Sequence, residues 1–273
     1  MIDVKNFTLT DDELKKCVIF SKTSAPNQQA IEFGQKTTKS RSEREVSRDN
    51  LIGKIAEVAF SKIMKENYGI DVPLDFNYYP RGKWDDQDAI INGWRIDVKG
   101  TRSGGRWMLI EWNKLCFRQR DNNLSHVYAM FSVDWNRELD VPTGRVSFEG
   151  VASIKRLHTD DKVTRVLKKG DFIPETHTTL QADNFAIQFK DLYKHLNHFV
   201  EIVLKSPPPS TLTDNFINPY TGQTTLEIIG NECRSKQPLS SNLTISDEQT
   251  EDESVQKKLP QILRKIKQLF CRS

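Results

Sequence analysis

Along the first two-thirds of the chain, apolar and polar residues alternate in two periods, and each period predicts its own kind of element. From Ser42 to about Lys65 the apolar positions Val46, Leu51, Ile52, Ile55, Ala56, Ala59, Phe60 and Ile63 recur every three to four residues. That spacing predicts a long amphipathic helix, stopped by Asn67 and Gly69. A shorter helix is expected at Leu14–Phe20, opened by the acidic run Thr10-Asp-Asp-Glu. Runs rich in β-branched and aromatic residues predict strands at Ile70–Tyr79, in RWMLIEW, at His126–Trp135 and at Gly144–Ile154. Leu157–Ala182 is charged and turn-rich. A further helix is expected over Lys190–Leu204, with Leu192, Leu196, Phe199, Val200 and Val203 on one face.

Between these elements lies DDQDAIINGWRIDVKG, Asp85–Gly100. Asn92-Gly93 is a two-residue hairpin signal, because both turn positions need positive φ. With those two as the loop, Ile91 faces Trp94, Ile90 faces Arg95, Ala89 faces Ile96, and Asp88 faces Asp97. Period-two alternation then puts Ala89, Ile91, Trp94, Ile96 and Val98 on a core face. Asp86, Asp88, Ile90, Arg95, Asp97 and Lys99 share the other. Like charges directly opposite each other destabilise a strand pair by about 0.2–1 kcal/mol. A solvated polar face tolerates this fault. A divalent cation between Asp88 and Asp97, with Lys99 beside it, would remove it.

The prolines of SPPPS (Ser206–Ser210) end the preceding helix and mark a boundary. Four segments result: a helical and polar segment at 1–40, a core at 41–205, a Pro-containing linker and polar segment at 206–250, and an acidic-to-basic amphipathic helix at 251–273. In the last, Leu259, Ile262, Leu263, Ile266, Leu269 and Phe270 share one face, suited to docking on the core, to pairing with a second copy, or to an anionic surface.

Composition narrows the picture only a little. The 273 residues carry a net charge of +3 with 28% charged residues, which permits a nucleic-acid partner without demanding one. Cys17, Cys116, Cys233 and Cys271 form no CxxC pair, so neither a zinc ribbon nor a disulfide framework is expected, and a reduced cytoplasmic setting is. The opening residues lack a signal-peptide pattern, and no apolar run reaches the roughly 18 residues of a membrane span.

A helix carrying Gly53-Lys-Ile-Ala-Glu57, then Asp88, then Asp97-Val98-Lys99 after a tight turn, resembles the PD-(D/E)XK nuclease superfamily over residues 45–135. Gln87 stands where that pattern often has Pro. Asp86 is the second choice for the first acid, since it sits beside Lys99 rather than Asp97, and Asp85 points to the core face. The resemblance implies a restriction-endonuclease-like α/β core, a mixed central β-sheet flanked by α-helices. It implies a Mg²⁺-dependent endonuclease (Mn²⁺ able to substitute) hydrolysing phosphodiester bonds of double-stranded DNA, of a restriction or phage-defence type and working as a homodimer. Asp88, Asp97, the Val98 carbonyl and Glu57 would serve the metal. Lys99 would orient or deprotonate the attacking water. Read from its own residues, the Gly-containing loop after the Asp-x-Lys strand, with Arg102, Ser103 and Arg106, suits phosphate contact and a solvated loop equally. The branch with a Gln-x-x-x-Tyr helix is disfavoured, because Gln119 is followed by Arg-Asp-Asn-Asn. The rivals are a catalytically silent nucleic-acid-binding or assembly module on the same fold, an RNA-directed nuclease, and an unrelated α/β protein with a solvated hairpin.

Other charged groups have plainer readings. Glu111 is read as the polar side of a strand and the His195–His198 pair as surface. The basic cluster Lys162, Arg165, Lys168 and Lys169 suits DNA contact and a solvated loop equally.

Overall fold

The long helix forms where its caps direct it. Ser42 accepts a hydrogen bond from the Glu45 amide while the Glu45 carboxylate accepts from the Ser42 amide, a reciprocal capping box. Gly69, at φ +67°, closes the other end. The computed structural model describes residues 6–28, 42–79, 88–111, 125–160 and 162–209. Within them the helices are α1 (Asp11–Gln28), α2 (Glu43–Tyr68), α3 (Ile154–Thr159) and α4 (Leu196–Lys205). The strands are β1 (Asn6–Thr8), β2 (Ala89–Ile91), β3 (Trp94–Arg102), β4 (Trp107–Glu111), β5 (Val127–Asn136), β6 (Val141–Ser153), β7 (Thr164–Leu167) and β8 (Asn184–Gln188).

The protein is a mixed α/β fold. A five-stranded sheet runs β1-β6-β5-β3-β2, with β3 and β5 parallel and the remaining pairs antiparallel. Bulges in the β5–β6 pairing, at Met130/Phe131 and Val133/Trp135, curl it. A second, antiparallel sheet runs β4-β8-β7. One face of the large sheet packs on α1, α2 and α4 through Val98, Ala129, Phe131, Phe60, Ile55 and Phe199. The opposite face, through Tyr128 and Met130, packs under Met108, Ile110, Phe185 and Ile187 of the second sheet. Helix α2 lies directly on β3: a methyl group at Gly100 would sit 2.6 Å from the Ile52 carbonyl oxygen. Residues 6–28, set apart by sequence as a leading segment, share the core of 42–205 through Phe7, Leu9, Leu14 and Cys17.

Three expectations change. Ile70–Tyr79 is not a strand. It has no ladder partner, and α2 holds it through the Ser61 hydroxyl on the Val72 carbonyl (2.7 Å) and the Lys54 ammonium on the Asp75 carbonyl (2.7 Å). The helix expected over Lys190–Leu204 starts only at Leu196, because a 3₁₀ turn at Phe189–Asp191 and a bridge from Tyr193 to Val151 occupy its first turns. Leu192 consequently packs under the second sheet, away from the helix face it was placed on. Helix α1 runs eight residues past Phe20, to Gln28.

Beyond Lys205 the chain is extended and fastened to the hairpin. Asn92 donates to the carbonyls of Val203 (3.1 Å) and Leu204 (3.2 Å), and Trp94 Nε1 donates to that of Ser206 (2.8 Å). The described chain thus remains packed into the first residues of the proline run. Residues 210–273, with the polar segment and the C-terminal amphipathic helix, lie outside the described residues, as do Asp85, Asp86, Gln87 and Gln119. Among the described residues no helix is long and apolar enough to cross a membrane.

Candidate active site

The hairpin has the register expected of Asn92-Gly93: Ala89 opposite Ile96, Ile90 opposite Arg95, Ile91 opposite Trp94, with both turn residues at positive φ. Ladder pairing stops at Ala89, and the Asp88 side chain takes over. Its Oδ2 accepts from the Val98 amide at 2.6 Å, which holds the carboxylate against β3. Asp97, on the strand face opposite α2, pairs in register with Tyr128 of β5. That face is closed over β5 by the second sheet, so Asp97 is 5% exposed rather than solvated. Lys99 follows two residues on, beside Met130, with its ammonium 2.5 Å from Asp97 Oδ2 and 6.0 Å from the Tyr128 ring centre.

Asp88, Asp97 and Lys99 therefore come together, and their electrostatics are strained. Burial first, then the carboxylates of Asp97 and Glu57, hold Asp88 well above the usual carboxylate range; Lys99 pulls it back only partly. Two acids that cannot both ionise comfortably, beside a cation, are the arrangement expected where a charge-bearing ligand binds.

Glu57 reaches the site from α2 electrostatically, but its Oε2 is engaged by Lys54 one turn earlier. Lys54 is 3% exposed, donates to the Asp75 carbonyl, and lies over the rings of Phe20 (4.4 Å) and Phe76 (5.5 Å). A Lys at i−3 from the candidate Glu, inside an apolar stripe, is the signal of this partner that the sequence carries. Val98 contributes its amide to Asp88 and its side chain to the core.

The other candidates disperse. Arg102 and Ser103 stand at the exposed C-terminal end of β3. Arg106 is ion-paired with Glu175. Glu111 and Arg165 belong to the second sheet, where the Arg165 guanidinium lies 5.2 Å from the Trp107 ring and one Glu111 oxygen is buried without a hydrogen-bond partner among the described residues. The Lys168 ammonium meets Asp183, which also accepts from the Lys169 backbone amide. His195 and His198 pack beside Tyr193, whose hydroxyl meets the His198 ring. Among the described residues, no group of three or more His, Cys, Asp or Glu side chains is placed to hold a metal ion.

At the start of the site strand, buried His126 fixes the backbone. Its Nδ1 accepts from the Arg95 amide (2.9 Å), its own amide donates to the Arg95 carbonyl (2.8 Å), and its carbonyl accepts from Ile154 (3.0 Å). Burial, and secondarily Arg95, lower its pKa from 6.5 to about 4. A base depressed in the folded state contributes stability that is complete above pH 6.5 and is lost as pH falls toward 4. The loss expected from this group is about 3 kcal/mol. Thermal melts between pH 7 and pH 4 should show His126→Gln losing less stability than the wild type on acidification. Equal losses would remove His126 from the acid response.

Comparison with family models, with curated proteins and with solved structures gives no match.

Proposed function

We propose that this chain is a metal-dependent endonuclease on a restriction-endonuclease-like core, hydrolysing phosphodiester bonds of double-stranded DNA. The observation that carries this reading is the pairing of Asp88, just before β2, with Asp97 of β3, with Asp88 driven above its normal range and the Lys99 ammonium against Asp97. Two crowded carboxylates offer hard oxygen ligands with excess negative charge, a donor set that fits Mg²⁺ or Mn²⁺. Asp88 and Asp97 would hold the ion, and Glu57 would add field from α2. When bound, the ion supplies charge relief at a phosphoryl oxygen and a more acidic water. Lys99 would orient the attacking water and steady the negative charge that develops on the phosphoryl group. Asp97 in turn holds the Lys99 ammonium, and the Val98 amide keeps Asp88 aimed at its partner. Cutting both strands suits two copies of such a core, and a restriction or phage-defence role fits a core of this kind.

One observation favours a second reading, a nucleic-acid-binding module without catalysis: Lys54 engages Glu57, leaving two carboxylates rather than three at the site.

Cleavage of circular duplex DNA with Mg²⁺, with labelled RNA alongside, separates these readings. Wild type should cut the DNA, and Asp97→Ala and Lys99→Ala should each lose at least about a hundredfold in rate. RNA cleaved in place of DNA would move the substrate. Equal activity in all three proteins would sink the site, and binding without cleavage would support the silent module.

A further inference from the structure

The parallel pairing of β3 and β5 brings the turn after each strand to the same end of the sheet. There an open cleft of about 540 Å³ is lined by Thr101, Arg102 and Ser103 from the end of β3, and by Trp135, Arg137 and Asp140 from around the β5–β6 turn. Its charges do not cancel. Asp140 is taken by Arg44 of α2 (2.6 Å) and by Trp135 Nε1 (3.1 Å), and Arg44 heads the causes that keep its carboxyl below the usual range. Asp134, beneath the turn, accepts from the hydroxyls of Ser103 (3.4 Å) and Thr143 (2.8 Å). Exposed Glu138 pairs with neither cleft arginine. Among the described residues, Arg102 and Arg137 thus have no carboxylate partner. Arg102 is steadied over Trp135, its guanidinium 5.8 Å from the ring centre. Arg137 lies over Gly104, where a Cβ would come 3.8 Å from its terminal nitrogen.

Two fork-shaped cations in one cleft, with the local acids already satisfied, match the geometry of phosphate oxygens. Lys99 and Arg102 are three residues apart on β3, about 10 Å, and strand alternation puts them on opposite faces, with Arg102 on the α2 side, so the cleft sits at the end of the sheet, apart from the face that carries Lys99.

We propose that this cleft is a phosphate subsite for the backbone of the nucleic-acid strand, with Arg102 and Arg137 each holding one phosphate. The assignment rests on the nuclease reading and extends it to Arg137, which no sequence motif singled out. It gives Arg102 a definite role and leaves Arg106, tied to Glu175, outside the cleft.

The test is binding of a fluorescein-labelled duplex by the full chain, carrying Asp97→Asn throughout so that the probe survives, across a series of salt concentrations. Each lost phosphate contact lowers the slope of log affinity against log salt by about 0.9. Arg102→Gln/Arg137→Gln should therefore lower it by about 1.8 and weaken binding at least about tenfold at low salt. Lys15→Gln/Lys16→Gln on α1, which removes the same charge elsewhere, should leave the slope unchanged. Arg102→Lys/Arg137→Lys should keep the slope and weaken binding, since the charge remains and the fork is lost. Binding by the parent with an unaltered slope in the Gln pair would overturn the subsite and leave the nuclease reading standing. Absence of DNA and RNA binding would overturn both. In that case, calorimetry showing inorganic phosphate bound by the wild type and not by the Gln pair would assign the cleft to free phosphate instead of a backbone.

Discussion

On the nuclease reading, Asp88→Asn should sharply cut cleavage and, without metal, yield a protein more stable than the wild type. Residues selected only for packing do not behave this way. The wild-type carboxyl is crowded by Asp97 and Glu57 in a half-buried position, and its pKa is raised. For an acid this sign means that stability is greatest at low pH and is lost as pH rises through the raised folded value, because the folded state holds the proton more tightly than the unfolded chain. Asparagine keeps an acceptor for the Val98 amide and removes the repulsion. The expected gain above neutral pH is about 1 kcal/mol, or roughly 2–4 °C in melting temperature for a domain of this size. Cleavage should fall at least about a hundredfold. Added Mg²⁺ should raise the melting temperature of the wild type and leave that of the variant nearly unmoved. A variant that is both inactive and less stable without metal would make Asp88 a structural hydrogen-bond acceptor and remove it from the chemistry.

Lys54→Ala should be far more damaging to the fold than its place on a helix suggests. The ammonium is buried among Glu57, the Asp75 carbonyl and two phenylalanine rings. Removing it takes away the ammonium that Glu57 meets at the core margin, and breaking one side of a buried pair typically costs about 3–5 kcal/mol. In urea the midpoint should drop accordingly, and protease should cut sooner within 70–79, where the lysine is one of the ties to α2. Replacing both members of the pair, Lys54→Met with Glu57→Leu, should recover most of the stability, since no charge is then stranded. A loss below about 1 kcal/mol in the single variant would mean that Glu57 finds water or another partner without difficulty.

The parts of this site legible in the sequence are those specified locally. Asn92-Gly93 admits essentially one loop, and alternation on either side then fixes the faces, so the juxtaposition of Asp88 and Asp97 follows from sixteen residues. The capping box at Ser42 and the left-handed Gly69 likewise bound α2 from within its own sequence. What depends on distant partners was not legible. β8 is NFAIQ, buried on both faces over four residues, and so shows no alternation. The sheet it builds is what closes the polar face and buries Asp97. Ile70–Tyr79 has the composition of a strand but meets helix side chains instead of a neighbouring edge. The surroundings of Lys54 belong here too, since only the folded arrangement brings Phe20, Phe76 and Asp75 around it.

The short strand β1 sets the order in which this protein can be completed as it is made. Asn6 pairs with Ser147, so as the chain is made β1 waits for the last strand of its sheet. Helix α2 emerges early with a wide apolar face whose partners on β5 and β6 are still to come. At about 5–20 residues per second, the interval from the start of α2 to the end of β6 is roughly 5–20 s. Until then the nascent chain can form α1, α2 and the Asn92-Gly93 hairpin, but not the sheet between them. Holdase chaperones have that interval in which to cover α2.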